Sequence, residues 1–319
     1  MNGMRCTLAL AVCFSLPAYA DGYPARPLRL IVPFPAGGGS DAVARIVSPR
    51  LGERLGQQIV VDNRGGAGGS IGTEQAVRAT PDGYTMALAS TSEIAINPGL
   101  YKLAYDTVRD LMPVSLVAST AIVVAIAPNT GFNSLKDLVA AAKSKPNTIN
   151  VASAGNGTIT HLSGELFRGL AKLEWTHVPY KGAPLALADL AGGRVQVMFS
   201  SLPAAMPLIK SGRIKAVAMS TRERQAALPE VPTVIESGMP AYDVVYWYGV
   251  FVPAATPKAA AARLAEEIAQ TLKQKDVIAS LASQGAAAGD STQPQFAQFV
   301  KSEHARWTGL VKSAGVKAD

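Results

Sequence analysis

The stretch LRLIVPFPAGGGSDAVAR, residues 28–45, decides the fold of this chain. Its apolar start, Leu28 to Phe34, is suited to a buried strand, and apolar residues at helical spacing begin at Val43. Three glycines separate the two parts. They are followed by Ser40, which we expect to cap the helix, and Asp41, which suits the positive end of the helix dipole. A strand, a glycine-rich turn and a helix in this order predict the first unit of an α/β protein.

The same order of elements recurs further along the chain. Residues 57–63 and 85–89 are predicted strands, and 149–153 is another, followed by the glycine turn 154–158 and a helix through His161. Because the strands alternate with helices, the sequence favours a mostly parallel sheet.

An apolar stretch from Met112 to Ala127 is too long for one ordinary strand. We expect two strands here, separated near Ser119 and Thr120, where the chain passes between two domains. The length of 319 residues agrees with about two domains.

The two glycine turns point to anion binding. A helix N-terminus carries unpaired backbone N–H groups and the positive end of the dipole, and glycine lets a ligand approach closely. The turns lie one in each predicted domain, so we expect an anion site shared between them. The chain has 30 Lys and Arg against 23 Asp and Glu, and its net charge of +7 favours anionic ligands. The basic residues form no run and no aromatic-studded stripe, which argues against nucleic acid.

The first 20 residues have the pattern of a secretory signal. Arg5 precedes an apolar run that ends before Pro17, and Ala18-Tyr19-Ala20 fits the small-residue cleavage pattern. We therefore expect cleavage after Ala20 and a periplasmic protein. Both cysteines lie in this segment, which leaves the mature chain without disulfides and dependent on its core.

Two patterns would fit an enzyme. A glycine pattern beginning at Gly37, with Asp62 closing the next strand, formally satisfies the dinucleotide-binding motif. Pro33 and Pro35 speak against it, because they place a rigid segment where the motif needs its turn directly after the strand.

The second enzyme pattern is the nucleophile motif at Gly68-Gly69-Ser70-Ile71-Gly72, with Asp189, Asp243 and His304 as conceivable partners. It is weakened because residues 64–69 separate the serine from the preceding strand. The three histidines show no metal-ligand spacing, so we expect no metal and no cofactor.

Longer stretches of the chain match one known family and follow its order across essentially the whole mature sequence. They are LRLIVPFPAGGGSDAVAR, LGQQIVVDNRGGAGGSIGTE, TPDGYTMAL, HVPYKGAPLALADLAGGRVQVMF, SGRIKAVAMSTRER, LPEVPTVIESGMP and WYGVFVPAATP. On these residues the chain resembles the extracytoplasmic solute-binding receptors of tripartite tricarboxylate transporters, the Bug or TctC family. One departure is that many relatives have Pro-Thr where this chain has Gly39-Ser40, which predicts a more flexible first turn.

The resemblance implies an α/β chain with the type II periplasmic binding protein fold. Two α/β lobes are joined by two crossover segments and close on a ligand in the cleft between them. We assign residues 24–120 and 223–319 to lobe 1 and 121–222 to lobe 2, after a signal peptide at 1–20. In the family, a ligand carboxylate is held between two loops, partly through ordered water, and these correspond by position to 36–41 and 153–158.

The sequence therefore predicts a non-enzymatic, monomeric receptor that captures a small organic carboxylate and presents it to a membrane transporter. The alternatives are a sensor subunit with the same site and a secreted α/β hydrolase. Amino acids, nicotinate-like acids, dicarboxylates and citrate-like acids all stay open as ligands. Besides the two loops, we expect hydroxyl-bearing residues at the carboxyl ends of strands to belong to the site. The expected ligand-binding residues are Ala36, Gly37, Gly38, Gly39, Ser40, Asp41, Ser90, Thr91, Ser153, Asn156, Gly157, Thr158 and Ser200.

Overall fold

The computed structural model describes residues 22–314 of the chain. The predicted signal segment and its cleavage site therefore lie outside the described residues. Within the described part, short strands alternate with helices, as the sequence predicts.

The strands are short except for two in the middle of the sheet. Their bounds are β1 Leu28–Val32, β2 Ile59–Asn63, β3 Thr85–Ser90, β4 Leu111–Ile126, β5 Asn150–Ser153, β6 Thr176–Pro179, β7 Val197–Ser201, β8 Lys215–Met219, β9 Val245–Pro253 and β10 Ala286–Ala288.

The helices connect the strands and pack against the sheet. Their bounds are α1 Gly39–Leu55, α2 Ser70–Val77, α3 Asn97–Leu100, α4 Leu135–Ser144, α5 Ile159–Ala171, α6 Ala183–Ala191, α7 Leu202–Lys210, α8 Lys258–Leu272, α9 Lys275–Ser283 and α10 Gln293–Ala314, with a 3₁₀ turn at Ala67–Gly69 and a π-helical turn at Ser92–Ile96.

The strands form one sheet in the order β2-β1-β3-β9-β4-β7-β5-β6, and β8 and β10 also pair with β4. β1 runs parallel to β2 and β3, and β5 runs parallel to β6 and β7. β9 and β4 are antiparallel to their neighbours and join these two groups. Two parallel α/β units linked through shared strands confirm the predicted α/β class.

The long strand β4 corrects the expectation of two strands. It runs unbroken for 16 residues. It pairs with β9 as far as Ala121, and from Ile122 onward it pairs with β7 and β8. The expected break near Thr120 is absent because the backbone stays paired on both sides of it, with β9 and β10 before it and with β7 and β8 after it. β4 is longer than an ordinary strand because it pairs with strands of both halves of the molecule.

The chain crosses between the halves a second time between β8 and β9. Ser220 ties this crossing to the first one. Its hydroxyl accepts from the backbone N–H of Ile122 at 2.8 Å and donates to the carbonyl of Val244 at 2.5 Å. One buried side chain thus holds both crossing segments together, which is where a hinge between the halves would turn.

Aromatic side chains fill the core on each side of the crossings. Trp247 on β9 is 1% exposed, packs against Phe296, and donates its indole N–H to Glu303 at 3.1 Å. In the other half, the rings of Phe167 and Phe199 pack 5.7 Å apart. Each such ring contributes about 2–3 kcal/mol through burial. The core therefore fixes the strands whose carboxyl ends form the candidate site.

Candidate ligand site

The two glycine turns face each other across a cleft between the halves of the sheet. The first follows β1 and the second follows β5, at the carboxyl ends of parallel strands, where open α/β sheets bind ligands. The cleft holds about 20 Å³ of free space, room for about one water molecule, so its sides are closed on each other. Its walls are Phe34, Pro35, Gly38, Gly39, Ser40 and Tyr246 on one side and Ala154, Thr158, Thr160, Ala183 and Ser201 on the other.

The first turn leaves its helix N-terminus uncapped. α1 begins at Gly39 with Gly38 in the N-cap position, and no side chain accepts from the first turn of the helix. The expectation that Ser40 caps the helix is wrong, because the helix starts one residue before it. The backbone N–H groups of Gly39, Ser40 and Asp41 have no protein acceptor among the described residues. Two of these residues line the cleft, so the donors lie at the cleft wall.

Asp41 organises the first turn from inside. Its carboxylate accepts from the backbone N–H of Gly37 at 2.9 Å and from Nε of Arg45 at 2.9 Å. Burial acts to raise the pKa of Asp41, but the bonds from Arg45 and Gly37 outweigh it and hold the pKa below its ordinary value. Asp41 is therefore an anion engaged within the turn, and it stabilises the helix as a residue near its N-terminus does.

The second turn is capped from several directions. Thr158 is the N-cap of α5, and its hydroxyl accepts from the backbone N–H of His161 at 3.4 Å. Ser92 accepts from the backbone N–H of Ile159 at 3.0 Å, across the cleft. The hydroxyl of Thr160 accepts from the N–H of Ala154 at 2.9 Å. The expectation of unpaired donors thus holds for the first turn and, in the second, only for the backbone N–H of Thr160.

Two histidines support the second turn. The rings of His161 and His177 stack 3.9 Å apart and nearly parallel. Nδ1 of His161 accepts from the backbone N–H of Gly157 at 3.3 Å, and Nε2 of His177 lies 2.8 Å from the hydroxyl of Ser153. Burial lowers the pKa of His161, against the raising effect of Glu165. The neutral ring is the form that can accept the bond from the turn.

The strand-end hydroxyls of the expected site lie behind the cleft wall. Ser90, the last residue of β3, and Thr91 are fully buried, and Thr91 accepts from the backbone N–H of Trp247 at 3.2 Å. Ser200 is also fully buried and donates to the carbonyl of Ser201 at 3.2 Å. The structure therefore brings these hydroxyls near the two turns without exposing them in the closed cleft.

Two further expected residues lie at the rims of the turns. Ala36 is exposed beside the first turn. Asn156 in the second turn accepts through its carbonyl from the hydroxyl of Tyr101 at 3.0 Å. This bond ties the second turn to the opposite side of the cleft.

Sequence reasoning missed the side chains that supply the floor of the cleft. Tyr246 on β9 and Ser201 on β7 line it, and Thr160 lines it from the first turn of α5. The signal for the tyrosine was the alternation in Tyr-Trp-Tyr, because residues two apart share a face of a strand. Ser200 was selected from the sequence instead of its neighbour Ser201. Adjacent side chains of a strand point to opposite faces, so only one of the two can line the cleft.

Gly39 packs where no side chain fits. A Cβ atom at this position would lie against Oγ of Ser201 and Oη of Tyr248, closer than atoms can approach. Glycine at position 39, where many relatives have proline, therefore lets the first turn pack tightly against β7 and β9 in the closed cleft.

The key residues of the two enzyme patterns, Ser70 and Asp62, make other contacts in the structure. The hydroxyl of Ser70 accepts from the side-chain amide of Asn97 at 3.1 Å, and Ser70 begins α2 rather than following a strand directly. Asp62 forms ion pairs with Arg29 and Arg64. The hydrolase and dinucleotide hypotheses thus gain no support from the contacts of their own key residues.

Neither a metal cluster nor a membrane helix is found in the described part of the chain. Within residues 22–314, no three His, Cys, Asp or Glu side chains are grouped to hold a metal ion. Over the same range, no helix joins the length and the apolar character that a membrane crossing requires.

Residues 43–316 match the family model described as "Tripartite tricarboxylate transporter family receptor". The chain belongs to this receptor family. Its relatives include Protein BugT of Bordetella pertussis, which is 37% identical over 303 residues that cover 94% of this chain and 93% of BugT. The family recognised from the sequence is thereby confirmed.

Solved structures extend the comparison to the fold. "R. palustris Rpa4515 with adipate" superposes with a TM-score of 0.90 at 33% identity, covering 92% of the receptor and 99% of that chain. MatC from Rhodopseudomonas palustris with bound malate gives a TM-score of 0.86 at 32% identity, covering 91% and 100%. The receptor therefore has the periplasmic binding protein fold, as predicted, and belongs to an extracytoplasmic class of solute-binding proteins.

Proposed function

We propose that the receptor captures a small organic carboxylate in the cleft between two lobes and presents the closed form to a membrane transporter. Lobe 1 comprises residues 24–120 and 223–319, and lobe 2 comprises 121–222. The uncapped N-terminus of α1 in the cleft wall is the observation that carries this proposal.

Three backbone donors and the positive end of a helix dipole form an anion site without a side-chain cation. The residues that line the cleft include no Lys and no Arg. A carboxylate is therefore met by neutral donors, namely the N–H groups of α1, the backbone N–H of Thr160 and the hydroxyls of Ser40 and Ser201. Such donors are strong when the acceptor is charged, about 1.5–3 kcal/mol each.

Dicarboxylates are the first ligands to test. The related structures named above carry adipate and malate, each with two carboxylates. A free space of about 20 Å³ cannot hold such a molecule, so entry requires the lobes to open about the crossings at β4 and Ser220. With a dicarboxylate bound, the cleft is therefore wider than in the closed arrangement of the structure.

Closure is supported by bonds that span the cleft. Tyr101 donates to the carbonyl of Asn156 at 3.0 Å, and Ser92 accepts from the N–H of Ile159 at 3.0 Å. Both contacts join the second turn to lobe 1. Opening breaks them, and a ligand held by α1 and the second turn would restore the closed arrangement.

The remaining features of the proposal concern the protein's setting. The family description favours a transporter over a sensor as the membrane partner. The receptor acts as a monomer, catalyses no reaction, and is released to the periplasm by cleavage after Ala20.

Thermal unfolding tests the proposed function. The purified receptor is stripped of ligand by unfolding and refolding, then heated with adipate, malate, citrate, nicotinate, single amino acids or a neutral diol. A ligand at about 100 times its Kd adds about 2.7 kcal/mol and raises the Tm by several degrees. We expect at least one carboxylate to raise the Tm and the diol to leave it unchanged.

A variant of the cleft sharpens this test. Gly39→Ala places a Cβ against Ser201 and Tyr248, so the cleft cannot close and the ligand-induced shift is lost. Gly309→Ala is the matched control, because nothing lies within 4 Å of its Cβ on α10. If no carboxylate moves the Tm, or Gly39→Ala keeps the full shift, the proposed site is wrong. Turnover of an ester that disappears in Ser70→Ala would instead support the hydrolase hypothesis.

A further inference from the structure

A buried carboxyl group lies directly behind the cleft wall. Glu93, in the π-helical turn after β3, has no solvent exposure, and its Oε1 has no hydrogen-bond partner among the described residues. Burial raises the pKa of Glu93 to about 7, although its bonds to Ser90 and the backbone favour the charged form. The side chain is therefore mainly the neutral acid below about pH 7 and mainly the carboxylate above it.

Two hydroxyl groups connect this acid to the cleft. Oε2 of Glu93 is hydrogen-bonded to Oγ of Ser90. The same Oγ lies 3.1 Å from Oη of Tyr246, and either oxygen can be the donor. Tyr246 lines the cleft beside Ser40. The three side chains thus form a continuous chain of hydrogen bonds from the buried acid to the ligand space.

The direction of this chain depends on one proton. A hydroxyl donates one hydrogen bond, so each member that receives a bond can pass one on. When Glu93 is protonated, it donates to Ser90, Ser90 donates to Tyr246, and the tyrosine O–H is free to point into the cleft. When Glu93 is ionised, Ser90 must donate to it and accepts from Tyr246. The tyrosine then presents only lone pairs to the cleft.

We propose that Glu93 is a specificity-determining positioning residue, which, as the protonated acid, makes Tyr246 a hydrogen-bond donor to the ligand carboxylate through Ser90. This inference rests on the proposed function, because it assumes a carboxylate in the cleft. It adds that the receptor in its binding form carries a proton behind the site. An ionised Glu93 disfavours a carboxylate twice, by reversing Tyr246 and by adding a buried negative charge.

The hydrogen-bonded chain Glu93–Ser90–Tyr246, the relay, matters for binding because the cleft lining contains no cation. The lining residues include neither Lys nor Arg, so reversing one neutral donor is not compensated by a nearby positive charge. When Tyr246 turns its lone pairs toward a ligand carboxylate, the free energy of binding falls by more than one hydrogen bond. Neither oxygen then has a donor.

The groups around Glu93 leave it as the side chain that titrates near neutrality in this cluster. Burial raises the pKa of the surrounding tyrosines, to about 12 for Tyr105, so they stay neutral over the same range. α10, which packs along the π-helical turn, contributes an acidic side chain held by two indole N–H groups and an arginine. The titratable and charged groups concerned are Tyr246 and Tyr248 on β9, Tyr105 after α3, and Glu303 with Arg306 on α10.

Binding as a function of pH tests the relay. Kd for adipate and for malate is measured by calorimetry from pH 6.5 to 8.5, where the ligand carboxyl groups are ionised because such groups lose their protons near pH ~4 in water. With a pKa of about 7 for Glu93, wild-type Kd weakens by up to about 25-fold over this range if only the protonated form binds. Glu93→Gln keeps a donor toward Ser90 and cannot ionise, so its Kd stays within about threefold at all pH values.

Two more variants separate the relay from a merely structural role. Tyr246→Phe removes the terminal donor, and we expect weaker binding at pH 6.5 and a smaller pH slope, because only the buried charge of ionised Glu93 then acts on the ligand. Glu267→Gln, which neutralises another buried glutamate, on α8 and paired with Arg54 and Arg263, serves as the control and keeps the wild-type slope.

Infrared spectroscopy examines the same residue without any ligand. The difference spectrum of wild type minus Glu93→Gln at pH 6.5 should contain the C=O band of a protonated carboxyl group, and this band should disappear by pH 8.5. A carboxylate band at pH 6.5 overturns the inference whatever binds in the cleft. A pH slope that persists in Glu93→Gln, or a wild-type Kd that does not change with pH, overturns it while leaving the proposed function intact. Failure of every carboxylate to bind at any pH refutes both.

Discussion

The two glycine turns of the receptor look alike in sequence and differ in structure. Each follows a parallel strand and leads into a helix. The first presents free backbone N–H groups, because the N-cap position is Gly38 and no side chain caps it. In the second, the capping residue Thr158 and its neighbours take up most of the donors.

This difference assigns separate tasks to the turns. An uncapped helix N-terminus is costly unless something else accepts its bonds, since unpaired buried donors are unfavourable. In the first turn, we propose, a bound anion accepts these bonds. The second turn has most of its donors satisfied, and on the same proposal it serves as the stiffer side of the cleft. Substitutions in the first turn should therefore change the Kd of the ligand, and substitutions in the second turn should change the free energy of unfolding.

The largest effect is expected from Gly38→Val in the first turn. Gly38 has φ −80° and ψ 173°, an extended conformation that valine adopts readily, so the fold should persist. The branched side chain fills a cleft of about 20 Å³ and blocks the N–H groups of α1. Losing two bonds to a charged acceptor, about 1.5–3 kcal/mol each, weakens carboxylate binding by about 100-fold or more, measured as Kd by calorimetry.

Gly157→Ala in the second turn is the matched comparison for this variant. Gly157 has φ +68°, and its Cβ would lie 2.8 Å from Leu100. Alanine is strained there, so the expected loss is about 1–2 kcal/mol in the free energy of unfolding. If Gly38→Val still binds the carboxylate with nearly wild-type Kd, the first turn is not the anion site and the comparison between the turns fails.

The sequence predicted the fold well because the signals of α/β units are local. Strand, glycine turn and helix follow one another within about 30 residues, and each is set by periodicity and turn chemistry. The continuity of β4 could not be read in this way. Whether an apolar stretch of 16 residues is one strand or two depends on its partners, which come from β7, β8 and β9, far away in sequence.

The candidate site was predicted in position but not in detail. Both turns lie where the strands end, as expected, because the carboxyl ends of parallel strands meet at one edge of a sheet. Which donors stay free was not predictable, since Ser92 reaches Ile159 only through the tertiary fold. Tyr246 and Glu93 were missed for the same reason: their relation to the cleft arises from the contact between β3 and β9.

A smaller effect tests the capped state of the second turn. Thr158→Val keeps the shape of the side chain and removes the hydroxyl that accepts from His161 N–H and donates to the carbonyl of Gly155 at 2.7 Å. Loss of such a cap costs about 1–2 kcal/mol of the free energy of unfolding, measured with urea. Thr158→Ser retains the hydroxyl and should recover most of the loss. Should Thr158→Val be as stable as the wild type, the bonds that Ser92, Thr160 and His161 accept from the turn suffice to hold it.

The smallest effect concerns the histidine that supports the second turn. His161 accepts from the N–H of Gly157, and burial lowers its pKa below the value of about 6.5 found in unfolded chains. A lowered pKa means that the stabilisation is complete above pH ~6.5 and is lost as the pH falls through the folded-state value. The free energy of unfolding should therefore decline in mild acid, and His161→Gln, whose amide oxygen can still accept, should decline less. His304→Gln on α10 is the control and should keep the wild-type acid dependence. Equal acid sensitivity in His161→Gln and wild type would show that the second turn owes its stability to its hydroxyl caps alone.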